Sequence, residues 1–374
     1  MRLRRSLLLA ACTVTLVLGA STARLAGVAS ADIPARITDQ EFWRLTDELS
    51  EPDGTFRSDN VLSNEMVFTQ LVPALVASTK PGGVYMGVGP EQNFTYIVAM
   101  RARMAFITDI RRANLHLLLV YKALFELSAD RAEFLSRLFT KPRPAGLGAT
   151  SSITQLMDGY WGVDTAGEAA YEANLAAVLR QLTKTHAFPM SQEDQDGVAR
   201  AYRVFYWYGP RMNYSASLNL TPLAGGSAAT YRDLMMQTDA NGQPITYLGS
   251  EANFAYMKDL ETRNLIVPVV GNFSGPKAIR AIGAYVKSRA ATVAAFYVST
   301  VEPYLKRAGT FSAFCDNVAT LPMDDGSVFV RPGNVMNLQA SGAVVQPATP
   351  PFPGAPRLGS YQLGVIVPLK TGCY

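Results

Sequence analysis

The segment Gly87-Val88-Gly89-Pro90-Glu91-Gln92-Asn93 follows a short apolar run, and Asp109 lies 22 residues beyond Gly87. Glycines at a strand-to-helix turn let the backbone approach a ligand, and an acid that closes the next strand can hold ribose hydroxyls. The spacing is that of a nucleotide-binding βαβ unit. The third glycine of the dinucleotide fingerprint is absent, with Gln92 in its place. Glu91 falls in the first turn of the following helix, where a bound pyrophosphate would meet a negative charge at a site that otherwise favours anions. That argues against NAD or FAD. S-adenosylmethionine, with an adenosine and a cationic amino-acid end, tolerates the acid better. Gly87, Gly89, Glu91, Asn93, Asp109 and Arg111 are therefore the candidate cofactor-binding residues. The bland alternative stays open: the glycines shape a turn, Glu91 stabilises the helix start and Asp109 caps the next element.

Arg111 and Arg112 follow Asp109 and can take a 2′-phosphate or a substrate carboxylate, or serve on the surface or at a helix end. Asp59, Asn60, Asn64 and Glu65 precede the first strand, in a region placed to fold over a ligand, although turn and cap chemistry around Ser63 also accounts for them. A second loop, Gly271-Asn272-Phe273-Ser274-Gly275-Pro276-Lys277, is one residue short of a P-loop and has Ala278 where Ser or Thr is required. It is expected to line the same crevice without hydrolysing ATP, and Ser299, Thr300 and Glu302 occupy an equivalent place after the next strand.

Zinc chemistry has little to work with, since His116 and His186 are the only histidines and no H-E-x-x-H or Cys-x-x-Cys occurs. No G-x-S-x-G elbow is present. His116 reads as a core or boundary residue and His186 as a loop residue. The aromatic cluster Tyr202, Phe205, Tyr206, Trp207 and Tyr208 serves core packing more often than ligand stacking. No residue is assigned a catalytic role.

The elements that must position these groups follow from apolar spacing. Helices are expected at 39–49, about 63–79, about 90–101, 114–139, 168–185, 192–206, 251–263, 276–289 and 301–306. Strands are expected at 83–89, 104–109, 245–248, 265–270, 292–298, 327–330 and 363–367. Strands alternating with helices predict an α/β fold: a doubly wound, mostly parallel, Rossmann-like sheet with a helical insertion after the second strand. The expected layout is an N-terminal helical segment over 32–80, a core over 81–310 carrying the insertion at about 113–240, and C-terminal strands with a Pro-rich tail over 311–374.

The chain has 374 residues, 48% of them hydrophobic and 17% charged, which is a globular composition. Of 34 basic residues, Arg2, Arg4, Arg5 and Arg24 fall within residues 1–31, which hold no acid, so the remainder balances at 30 basic against 30 acidic. That balance lacks the basic footprint of a nucleic-acid binder. The basic start, the apolar stretch from Ser6 to about Ala20 and the sequence Ala29-Ser30-Ala31 form a signal peptide with its cleavage site, so the protein is expected to be exported. Membrane attachment is expected only if this segment is uncleaved, or lipidated at Cys12. Loss of Cys12 leaves Cys315 and Cys373 as an even pair for a disulfide.

The strings GGVYMGVGPEQNFTYI, AFITDIRRANL, SDNVLSNE, NLIVPVVGNFSGPKAIRAIG and FYVSTVEPYL resemble those of a largely uncharacterised bacterial protein family with a core similar to class I S-adenosylmethionine-dependent methyltransferases. The resemblance covers most of residues 40–335. It implies that Gly87, Gly89 and Glu91 match the first cofactor-binding loop and Asp109 the ribose-binding acid. The Pro-Glu-Gln-Asn continuation of that loop and the long insertion depart from ordinary methyltransferases. Two functions follow as expectations: an exported, S-adenosylmethionine-dependent methyltransferase-like enzyme of unknown substrate, or an exported non-enzymatic binding or scaffolding protein with a degenerate cofactor crevice; either is expected to bind a small-molecule ligand.

Overall fold

The computed structural model describes residues 32–373, apart from 57–58, 60, 66–67, 215–228 and 334–362. Strands β1 (Val84–Gly87), β2 (Met104–Asp109), β3 (Ile266–Val270) and β4 (Val293–Tyr297) are buried at every position. Continuous apolar runs of this kind suit parallel strands covered on both faces. β5 (Val328–Gly333) pairs parallel with β4, and β6 (Leu363–Pro368) closes the sheet antiparallel to β5. The order is β3-β2-β1-β4-β5-β6. Winding therefore reverses between β1 and β4, and a crevice opens beyond the carboxyl ends of these strands.

Pro268 lies in β3, an edge strand, where a missing N–H costs least. That edge is covered by the chain after helix α1 (Asp39–Leu49). Val270 N donates to Ser50 Oγ at 2.9 Å, and Glu51 N donates to Val270 O at 2.8 Å. Thr38 caps α1 by accepting from Glu41 N, and the helix buries Phe42, Leu45 and Leu49. A 3₁₀ turn at Phe68–Leu71 leads into α2 (Val72–Ser78), and residues 63–65, where the expected helix was to start, are not helical. α3 (Gln92–Met100) joins β1 to β2.

Between β2 and β3 lie α4 (Arg112–Leu127), α5 (Arg131–Phe139), α6 (Ile153–Gly162), α7 (Glu168–Arg180), α8 (Gln192–Tyr208), α9 (Tyr231–Met235) and α10 (Glu251–Thr262). The single helix expected over 114–139 is two, because Asp130 turns out to cap α5 by accepting from Glu133 N. The strand expected at 245–248 is instead a buried turn. Thr246 Oγ1 donates to Met235 O, Gly249 N donates to Thr246 O, and Tyr247 Oη meets Tyr231 Oη, so local bonds replace a ladder. The insertion therefore extends to β3. A buried polar knot fastens it to the core: His186 bonds Asp39 at 2.7 Å and Glu126 at 2.6 Å, while Lys122 bonds Glu126 and Asn264. Burial would lower the His186 pKa, but the Glu126 and Asp39 carboxylates outweigh it and raise it.

α11 (Ala278–Ser288), α12 (Val301–Arg307) and α13 (Phe311–Val318) complete the helices. Cys315 of α13 is bridged to Cys373 beyond β6, with 5.5 Å between Cα atoms. That separation is ordinary for a disulfide, and the bond suits an oxidising compartment. Among the described residues no helix is long and apolar enough to cross a membrane; residues 1–31, where the signal is expected, lie outside the described residues. Replacing both cysteines by serine is expected to lower unfolding stability by about 4 kcal/mol through the loss of loop-closure entropy, measured by urea unfolding of the oxidised parent and the double variant.

Candidate functional site

The loops after β1, β2, β3 and β4 meet around a cavity of about 290 Å³. That is close to the lower end for small-molecule sites. Of the expected cofactor-binding residues, Gly89, Asp109 and Arg111 line it, and Gly87, Glu91 and Asn93 do not. Those three build the bend instead. Tyr85 Oη donates to Asn93 Oδ1 at 2.8 Å, and Asn93 Nδ2 donates to the carbonyls of Val88 at 3.0 Å and Pro90 at 2.6 Å. A Cβ on Gly87 would stand 1.9 Å from Asn93 Oδ1, so only glycine fits between these partners. Gly89 has φ +80, which glycine adopts without strain, and faces open space.

Asp109 closes β2 with its carboxylate held by its neighbour. Arg111 Nε donates to Oδ1 at 3.0 Å and Nη2 to Oδ2 at 2.9 Å, and the Arg111 backbone N–H also reaches Oδ1. Arg111 Nη1 further donates to Asp59 O. Arg112 points away from the cavity, donating from its side chain to Asp194 at 2.7 Å and 3.1 Å and from its backbone to Asp53. His116 joins the same carboxylate. Despite its burial, the Arg112 guanidinium and His116 hold the Asp194 carboxyl well below the usual carboxylate range. Neither Arg112 nor His116 is part of the crevice. Asn64 lines it as the sequence suggested, and Asn60 lies outside the described residues.

The loop after β3 contributes Gly271, Asn272, Phe273 and Ser274 to the wall. Three backbone amides here and at the start of α11 are already occupied by one side chain. Asn272 N donates to Glu51 Oε2 at 2.9 Å, while Lys277 N and Ala278 N donate to Glu51 Oε1 at 2.8 Å and 2.9 Å. The protein's own carboxylate thus fills the nest that a phosphate would require. Gly275 is needed because a Cβ there would collide with the Glu51 carboxylate.

Two acids lie behind the wall. Glu91 turns inward, accepting from Ser63 N at 3.4 Å, and its Oε2 has no hydrogen-bond partner among the described residues. Burial pushes its carboxyl from the ordinary 4.5 up to about 8. Contrary to the expectation from the sequence, Glu91 does not present a negative charge to a ligand: its side chain does not face the cavity and burial favours its protonated form. Glu65 accepts from Tyr297 Oη at 2.7 Å and Ser299 Oγ at 2.9 Å on one oxygen, and from Gln92 Nε2 at 3.0 Å on the other. Burial raises its pKa, with these donors opposing the shift. Tyr297, Ser299, Thr300 and Ser63 line the cavity, whereas Glu302 instead pairs with Arg331. Tyr297 was missed in the sequence because it ends an apolar strand and reads as core.

The histidines and the aromatic cluster serve elsewhere. His186 stacks on Phe188, Tyr202 and Phe205 are buried in the insertion, and Trp207 is 58% exposed. Among the described residues, no three His, Cys, Asp or Glu side chains gather as a metal site would require.

Sheet order and crevice define a mixed α/β protein with a ligand-sized hollow at the carboxyl edge of a mostly parallel sheet. More particularly, the chain belongs to the family described as Domain of unknown function (DUF7790), whose model matches residues 61–344. No curated protein matches it.

Glu51→Ala is expected to cost about 2 kcal/mol in urea unfolding, because three amides lose a charged acceptor, and Glu51→Gln is expected to recover part of that. The raised acids set a pH dependence. Glu91, and likewise Glu261 at about 8, hold protons in the folded state that the unfolded chain releases above its ordinary 4.5. Each therefore makes stability fall with rising pH between 4.5 and 8, by about 1.4 kcal/mol per pH unit. Glu91→Gln is expected to flatten that slope and to be more stable than the parent at neutral pH; an unchanged slope across a pH series would contradict it.

Proposed function

We propose that this crevice binds an adenosine-containing small molecule, S-adenosylmethionine first among the candidates, and that the protein is an exported, Rossmann-like and methyltransferase-like enzyme. One observation carries the reading: the hollow is open rather than plugged by side chains, and Asp109 lines it. The order β3-β2-β1-β4-β5 with an antiparallel edge strand supports a Rossmann-like core, in which ligands bind where the winding reverses. Gly89 offers a backbone that a ligand can approach without meeting a side chain. A carboxylate has about four lone-pair sites, so Asp109 retains acceptor capacity for a ribose hydroxyl beside its three donors from Arg111. The Glu51-filled nest favours a ligand without a phosphate. The basic, apolar N-terminal segment and the Cys315–Cys373 bridge support export.

A second reading has its own observation. Arg111 clamps both oxygens of Asp109, as expected if the crevice has lost its cofactor and serves a non-enzymatic binding or scaffolding protein. S-adenosylmethionine is made in the cytoplasm, which also favours this reading for an exported chain.

Calorimetry and thermal unfolding against S-adenosylmethionine and its demethylated product separate the two. Under the first reading, ligand at about 100 times its Kd stabilises the protein by about 2.7 kcal/mol, and Asp109→Asn abolishes the shift. Absence of heat and of any shift at millimolar ligand would leave the second.

A further inference from the structure

We propose that the end of the crevice formed by Ser63, Tyr297 and Ser299 seats the ammonium, or a similar organic cation, of an amphipathic ligand, with Glu65 behind it as counter-ion. The inference rests on the crevice being a ligand site and is independent of whether that ligand carries adenosine.

The direction of the hydroxyl protons carries it. Tyr297 Oη and Ser299 Oγ both donate inward to Glu65, and Ser63 Oγ donates inward to Gln92 Oε1 while accepting from Glu65 N. Each hydroxyl has one proton, so what remains for a group entering the cavity is lone pairs. This wall therefore selects donors and repels phosphates and carboxylates.

Charge points the same way. Glu65 is 7% exposed and its partners Gln92, Tyr297 and Ser299 are all neutral. Among the described residues no Lys, Arg or His pairs with it, whereas Asp109 on the other wall is matched by Arg111. A buried carboxylate without a counter-ion is costly, and a ligand cation is the group that relieves the cost. The two ends stand on β2 and β4, two strand spacings or about 10 Å apart, so the Arg111 charge does not occupy the cation's place. Ser299 also holds φ +44, a left-handed backbone that costs a non-glycine residue energy and that recurs where a side chain must be positioned. Phe56, Leu62, Val88 and Phe273 add apolar surface to the wall, which suits the body of an amphipathic ligand.

The test uses three probes of one shape and different head charge: phenethylamine, phenethyl alcohol and phenylacetate. Calorimetry and thermal unfolding of the full chain are expected to rank the amine about tenfold tighter than the alcohol, with phenylacetate weakest. Glu65→Gln should bring the amine down to the alcohol's level, and Ser299→Ala should weaken the amine selectively with Glu65 intact. Equal binding of amine and alcohol, or an unchanged preference in either variant, overturns the proposal. If Glu65→Gln does not fold, the ranking on the parent and the Ser299→Ala variant decide. Failure of all three probes while S-adenosylmethionine binds overturns the cation seat and leaves the adenosine reading standing. Binding of the amine with no response to S-adenosylmethionine does the reverse.

Discussion

Asn93 is a fully buried side chain at the first turn of α3, and its amide ties the carbonyls of the β1 bend together while its Oδ1 takes the Tyr85 hydroxyl. The crevice depends on this knot. A strand that ends in the middle of a sheet must turn into its helix without leaving carbonyls unpaired in the interior, and here one side chain satisfies them. The geometry leaves no room for a Cβ at Gly87 and calls for a left-handed residue at Gly89. The glycines that look like ligand contacts in the sequence therefore divide: Gly87 makes way for Asn93, and Gly89 alone faces the hollow.

The same division runs through the anion-binding features. Three places that would take a ligand's negative charge are filled from within. Glu51 occupies the amide nest before α11, Asp194 takes Arg112, and Asp109 takes Arg111. The nest is a consequence of chain path, because Ser50 and Glu51 have to cover the open edge of β3, and the carboxylate of Glu51 then reaches the amides beyond it. A loop that spells most of a phosphate site can serve as an intramolecular clasp, since backbone amides do not distinguish a phosphate from a glutamate.

Much of the fold was legible because its signals are local. β2 matches its apolar run from Met104 to Asp109, and α1 matches the segment 39–49, each bounded by residues that stop the element. α6 carries a local signal as well: Ser152 and Gln155 form a capping box before an apolar run, a signature present in the sequence. The apolar turn at 245–248 could not be separated from a strand by composition, since Thr246 and Tyr247 are strand formers and only their tertiary bonds to Met235 and Tyr231 make them a turn. For the site, Gly89, Asp109 and Asn64 were legible as loop polar chemistry. The inward turn of Glu91 was not, because a residue at a helix start ordinarily faces solvent, and here the segment around Ser63 packs over it.

Burial without a counter-ion then decides what the crevice can hold. A polar site built from cations recruits anions at long range and loses them in salt. Among the described residues its wall has no spare cation: Arg111 is spent on Asp109, and the hydroxyls of Tyr297 and Ser299 are turned toward Glu65. What remains is a set of acceptors and apolar surface in front of one buried carboxyl whose pKa burial raises. An entering cation gains twice, once by its own hydrogen bonds to these oxygens and once by its attraction to Glu65 behind them, whereas an entering anion meets lone pairs and a carboxylate of its own sign. The preference is thus set by which proton or charge the interior lacks, and it follows from the placement of Glu65 behind the wall whatever reaction, if any, takes place in front of it.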